Sequence, residues 1–134
     1  MSGVRIIGAL LAAHAPLTNV VPVARIKGGA LPGSIVLPAI VLTTISAVDL
    51  HMVTQGSSRR VTERVQVTIA APDYETQKAV IVLIRKACSY QRGDIAGATA
   101  VSVLTDTLGP DFMDESASIY LQSQDFKVSF NEAT

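Results

Sequence analysis

Little in this sequence is reactive. Its one cysteine, Cys88, excludes a disulfide within the chain and fits a reducing compartment. The two histidines, His14 and His51, fall in different segments, so a closed zinc site lacks ligands unless carboxylates complete it. No phosphate-cradling glycine loop, nucleophile elbow or zinc-protease motif is present, which removes sequence support for those chemistries. Eleven basic residues cancel eleven acidic ones and no run of lysine or arginine occurs, so the electrostatic footprint of a nucleic-acid binder is missing. The apolar stretch Ile35 to Val48 is interrupted by Pro38, Thr43, Thr44 and Ser46 and is too short to cross a bilayer as a helix. Arg5, the apolar run Ile6 to Ala13 and the triplet Ala13-His14-Ala15 imitate a signal peptide, but the basic region is a single residue and Pro16 would follow the cut, so a helix is the better reading.

Aromatic residues make up 4% of the chain, whereas hydrophobic residues of all kinds make up 49%. The apolar content is therefore mostly Val, Ile, Leu and Ala, a mixture that suits strands and tightly packed small helices. With 134 residues the expectation is a single domain, 1-134, whose core needs neither disulfide nor metal. So high an apolar share in a small chain also points to surface covered by other subunits.

Val4, Ile7, Leu10, Leu11 and His14 recur at helical spacing, predicting a first helix over Gly3 to His14. Pro16 to Pro38, rich in glycine, reads as loop with at most a short strand at Val23 to Lys27. Ala39 to Val48 is β-branched and apolar without helical period, predicting a well-buried strand. Val61, Val65, Val67 and Ile69 alternate with Thr62, Arg64, Gln66 and Thr68, predicting a strand with one solvated face. Asp49 to Arg60 then reads as a long hairpin connection. Asp73 is placed to cap a second helix, with Tyr74, Gln77, Ile81, Ile84 and Cys88 on one face and Glu75 in its first turn. Ala98 to Thr105 and Ile119 to Phe130 give two further strands, with an acidic turn region between them. The resulting expectation is an α+β fold: a mainly antiparallel four- to five-stranded sheet with two helices packed on one face.

Candidate chemistry is thin. Cys88 falls on the apolar face of the second helix and reads as a small buried hydrophobe. Asp111, Asp114 and Glu115 offer oxygen ligands, but their spacing matches no EF-hand loop and they read as a solvated acidic turn. Arg92-Gly93-Asp94 spells an integrin-binding tripeptide, yet it reads as a loop after the helix. Ser57-Ser58-Arg59-Arg60 puts two positive charges near a hairpin tip, where a partner's carboxylate or a phosphate can bind. No catalytic residue, cofactor or metal is expected.

Read end to end, several stretches resemble the tail terminator, or tail completion, family of long-tailed bacteriophages. These are the opening helix with Ala9 to Ala13 and Leu17, Pro38-Ala39-Ile40-Val41-Leu42, and Val65 to Ala71 followed by Tyr74-Glu75 and Lys78-Ala79. Ser118-Ile119-Tyr120 and Asp125-Phe126-Lys127-Val128 complete the pattern. The segment Gln91 to Thr99 departs from it, as does the lack of aromatics after Val128 other than Phe130. The resemblance implies a structural virion protein and not an enzyme. Assembled in the host cytoplasm, it would form a homo-hexameric ring at the head-proximal end of the tail, stop tube polymerisation and join tail to head. The implied partners are copies of itself, the tail tube protein and the head-tail connector or stopper protein, with DNA only as the genome passing through the lumen and no membrane. Loops on a rigid scaffold commonly carry such contacts, which singles out His51, Gln55, Ser57, Arg59 and Arg60 in one connection and Asp111, Phe112, Asp114 and Glu115 in another. Alternative readings are a head completion or neck adaptor protein and a small oligomeric α+β enzyme with a site between subunits built from Asp111, Asp114, His51 or Arg60. A secreted adhesion module, resting on the signal-like start and Arg92 to Asp94, is the last.

Overall fold

The computed structural model describes residues 2–50 and 56–133. Helix α1 (Ser2–Ala13) is followed by one helical turn, α2 (Ala15–Thr18), in which Pro16 occupies the first turn, where a missing N–H costs nothing. A 3-10 turn at Val23–Arg25 leads into strand β1 (Ile26–Gly28). Two long strands follow, β2 (Ala39–Leu50) and β3 (Ser58–Ala71), and then helix α3 (Tyr74–Cys88). The chain ends with β4 (Arg92–Ile95), β5 (Ala98–Leu108), β6 (Phe112–Asp114) and β7 (Ile119–Ala133).

These strands correct the expected four- to five-stranded, mainly antiparallel sheet with two helices. Among the described residues one mixed sheet of seven strands runs in the order β1-β2-β3-β7-β5-β4, with β6 also beside β7, and it curls into a half-barrel with three helices. The sheet is mixed because β1 runs parallel to β2, with Ile26 opposite Ile40. Three residues are too few to show a period of two, and of the short strand allowed at Val23 to Lys27 only Ile26 and Lys27 belong to β1, Val23–Arg25 being the 3-10 turn. Strand β4 is built from the Arg92-Gly93-Asp94 segment that reads as loop. Ala96 and Gly97, at φ 53° and 83°, make the two-residue turn that sets Ile95 opposite Ala98. Strand β6 consists of residues that read as an acidic turn. It continues the line of β5 along β7 after a break at Gly109-Pro110, and the chain reverses between Asp114 and Ile119, which face each other.

Alternation along the strands places the core. Val61, Val65, Val67 and Ile69 of β3 and Phe126, Val128 and Phe130 of β7 are buried on one face, against which α1 and α3 both pack. Ile6, Ile7 and Leu11 of α1 and Val80, Ile81, Ile84 and Cys88 of α3 supply the other layer. The start of α1 comes so close to β3 that a Cβ on Gly3 would lie 2.8 Å from Glu63 Oε1 and 2.9 Å from Val65 Cγ2. The Gly3 N–H donates to Glu63 Oε2 at 3.2 Å, so a buried carboxylate sits at the positive end of the helix. Helix α3 begins as predicted, with the Asp73 carboxylate accepting the Thr76 N–H at 2.7 Å. That bond holds the Asp73 carboxyl below its usual range.

The expectation of a well-buried β2 holds for its first half only. Ala39, Ile40 and Leu42 are buried, but Ile45, Val48 and Leu50 are 47%, 67% and 62% exposed. Strand β1 pairs with β2 only from Ile40 to Leu42, and past that point the outer side of β2 has no neighbour among the described residues.

Candidate functional site

The face of the sheet turned away from the helices is polar. Between the core positions of β3 stand Thr62, Arg64, Gln66 and Thr68, and opposite them on β7 stand Ser129, Lys127, Asp125 and Ser123. The hydroxyls pair across the strands, Thr62 with Ser129 at 2.9 Å and Thr68 with Ser123 at 2.8 Å. At the centre Arg64 donates through Nε and Nη2 to Asp125 Oδ2 at 2.8 and 2.6 Å and lies 3.4 Å from Asp106. The hydrogen bond and charge of Asp125, with Asp106 behind them, raise the Arg64 pKa above its ordinary value. A shallow cavity of about 410 Å³ opens here, lined by Ser46, Val48, Thr62, Arg64, Asp106 and Lys127 among others. Asp106, which lines it, and Asp125 beside it are both tied to the Arg64 guanidinium, so neither is free to act as a general base or a metal ligand.

The candidate residues picked from the sequence fall at opposite ends of this sheet. Arg60 is level with Asn131 on β7 and Phe112 with Leu121, so ten residues of β7, about 33 Å of extended chain, separate the two groups. At one end Arg59 and Arg60 are strand residues and not a free basic tip. Arg59 sits between Asp49 and Glu132, at 3.9 and 3.6 Å, and Arg60 donates to the Ala100 carbonyl and to Asn131 Oδ1. Ser57 is exposed just before β3. His51 and Gln55 lie outside the described residues.

At the other end Asp111 ties the β5–β6 junction to α3. Its Oδ2 accepts from Lys78 Nζ at 2.5 Å and from the Tyr74 hydroxyl at 2.8 Å. The bonds from Lys78 and then Tyr74 hold the Asp111 carboxyl below its usual range, and the Lys78 ammonium is raised in turn. Lys78 also lies 5.1 Å from the centre of the Tyr74 ring, which meets Tyr120 edge-on at 6.3 Å. Asp114 accepts from the Ser116 N–H and hydroxyl, which lowers its pKa. Phe112 is 56% exposed on β6, and Glu115 is exposed in the turn after it. Each aspartate at this end thus serves a local partner, and no group of three or more His, Cys, Asp or Glu placed for a metal occurs among the described residues. Cys88 is fully buried, and burial pushes its thiol up to about 12, which removes it as a nucleophile.

Sequence reasoning missed two features. The first is a set of buried glutamines under α3, Gln77, Gln122 and Gln124. No periodic pattern marks them, because a glutamine at an inward position looks like an interruption of the apolar stripe. The second is the exposed apolar margin along β2 and along β5 and β6, where Leu104, Leu108 and Met113 are exposed beside Phe112, the one of them that the sequence singles out. In sequence these residues are indistinguishable from core.

Comparison with known proteins accounts for a surface built this way. The family model for tail completion protein gp17 matches residues 5–128. The chain belongs to this family. It is a structural phage tail protein and not an enzyme, and its place is in the tail region of the virion. No curated protein matches the sequence. Among solved structures the fold is similar to that of a chain in the virion of a native gene transfer agent (GTA) particle, with a TM-score of 0.75 over 96% of this chain and 93% of that one. Sequence identity there is 13%, so the likeness is one of fold. For a tail completion protein, a sheet whose polar face is closed by its own hydrogen bonds and ion pairs is an assembly scaffold and not a reaction centre.

Proposed function

We propose that the protein is the tail terminator. In this reading copies form a homo-hexameric ring at the head-proximal end of the tail tube, stop its polymerisation and present a surface to the head-tail connector. The family match over nearly the whole chain carries the reading. The separation of the candidate contact groups supports it, since a joint needs one end for the tube protein and another for the connector. Ser57, Arg59 and Arg60, with His51 and Gln55 beside them in sequence, serve the contacts at one end, and Asp111, Phe112, Asp114 and Glu115 serve those at the other, where the axial partner and the ring neighbour both meet the chain. The genome passes through the lumen without being recognised, consistent with a chain of zero formal net charge.

The test is deletion of the gene in the parent phage or prophage, induction, and electron microscopy of the lysate beside a complemented control. Overlong or ragged tails with unattached full heads are expected. Free tails of normal length would move the protein to the head side of the joint, and normal virions would end the structural reading.

A further inference from the structure

Both margins of the sheet carry an open strand edge, and the two fit each other. On one margin β1 covers β2 only as far as Leu42, which leaves Thr43 to Leu50 unpaired on its outer side among the described residues. On the other, β4 and the backbone of Tyr90 and Gln91 cover β5 as far as Val103, which leaves Leu104 to Leu108 and then β6 open among the described residues. Neither open edge carries a lysine, a residue that commonly blocks edge pairing, and the proline of the second, Pro110, stands at the break between β5 and β6 and not within a strand.

Strand direction and facing agree as well. Along the path β2, β3, β7, β5 every neighbour is antiparallel, so β2 and β5 run in opposite directions. Rotating one copy about an axis lying roughly along the strands therefore brings its β2 antiparallel to the β5 of the next. Val48 and Leu50, opposite Thr62 and Arg60, lie on the polar face of the sheet. Leu104 and Phe112, opposite Lys127 and Leu121, lie on that same face of the other margin. At 67%, 62%, 50% and 56% exposed, these four side chains would cover one another across a junction.

The open stretches are also staggered by an amount that suits a ring. Leu50 is level with Arg60, Asn131 and Thr99, and Thr43 with Gln66 and Asp125 beside the bulge between Thr105 and Leu108. The centre of the open part of β2 is thus displaced by roughly five or six residues, about 17–20 Å, from the centre of Leu104 to Asp114. Strands tilted about 35–45° to a ring axis shift by about 13–19 Å over the four strand spacings from one β2 to the next.

We propose that neighbouring copies join by pairing the Thr43–Leu50 edge of one with the Leu104–Asp114 edge of the next, so that the sheet continues around the ring. This rests on the ring reading above and names its interface. A head-to-tail contact of this kind closes by rotation, whereas β2 against β2 ends in a dimer.

Cysteine cross-linking tests it, with Cys88 buried and silent. Full-length protein carrying only Val48→Cys is mixed with protein carrying only Leu104→Cys, Leu108→Cys or Phe112→Cys. The mixture is oxidised and run on a non-reducing gel, while native mass spectrometry of the wild type, alone and on tail tubes, reports rings. The expected result is a dimer in at least one mixture and in neither component alone, and a ladder ending at the ring size when both cysteines are in one chain. Rings without any such cross-link overturn the edge pairing and leave the terminator reading standing. Cross-links without rings do the reverse, and neither rings nor cross-links overturn both. A dimer from Val48→Cys alone overturns the head-to-tail arrangement.

Discussion

Gln77 and Gln124 respond in opposite ways to the same substitution. Both are fully buried, one on α3 and the other on β7. Neither amide atom of Gln77 meets a hydrogen-bond partner among the described residues. The Gln124 oxygen accepts from Arg85 Nη1 at 2.5 Å, and its nitrogen donates to the carbonyls of Asp125 at 2.7 Å and Thr107 at 3.4 Å. A buried unpaired polar group costs about 1–3 kcal/mol, and a volume-conserving apolar swap costs less than about 1.5. Gln77→Met should therefore stabilise the fold by about 1–2 kcal/mol. With an unfolding entropy of about 2.1 cal/mol/K per residue, the chain changes its Tm by about 3.6 °C per kcal/mol, so a rise of about 4–7 °C is expected. Gln124→Met strands Arg85 and two carbonyls and should lower stability by about 1–3 kcal/mol. Thermal unfolding followed by circular dichroism gives both shifts, and urea titration with an unchanged slope shows that the native state keeps its compactness. If Gln77→Met melts at or below wild type, the Gln77 amide is paired within the fold and its burial carries no penalty.

Two further outcomes follow from protonation. Cys88, its thiol pushed up to about 12 by burial, should resist a thiol reagent in mildly alkaline buffer and react once denaturant is added; rapid labelling of the native protein would show that α3 opens. The Asp111 carboxyl is held below its ordinary 3.8 by Lys78 and Tyr74, so its stabilising effect is complete above that value and disappears as pH falls through the folded-state value. The stability gap between wild type and Asp111→Asn should accordingly narrow as unfolding is measured from about pH 6 down to about pH 3, and a gap that stays constant would mean the carboxylate charge is not what ties β6 to α3.

The parts of this fold legible in the sequence are those where one signal acts alone. Period two from Val61 to Ile69 gives β3 because one of its faces meets the helices and the other meets water. Asp73 followed by an apolar stripe gives α3, because cap and stripe both act locally. What stayed hidden depends on distant contacts. Strand β4 exists because Ala96 and Gly97 turn tightly enough to lay Arg92 to Ile95 on β5, and alanine at positive φ is not a signal that propensity can anticipate. The break at Gly109-Pro110 reads as the start of a loop, yet β7 lies along both sides of it and recovers β6 as strand. Of the candidate contact residues, the acidic set was legible as polar and exposed, but the roles of Arg59, Arg60 and Asp111 as ties between elements were not. Their partners lie tens of residues away.

The exposed apolar residues carry the same lesson into assembly. An antiparallel sheet with one open face is liable to stack on a second copy, face to face, unless that face is polar and internally satisfied. Here the centre of the face is closed by the Thr62–Ser129 and Thr68–Ser123 pairs and the Arg64 cluster, so stacking would strip water from charges without giving them better partners. Among the described residues the large apolar side chains of this face that are well exposed, Val48, Leu50, Leu104 and Phe112, lie at its two margins. A sequence window sees β-branched and aromatic residues in strands and predicts burial for all of them. Only the sheet order separates those covered within the chain from those that, in the pairing proposed above, wait for a neighbour. Such a division favours edge-to-edge over face-to-face contact, and edge contact is the kind that builds rings.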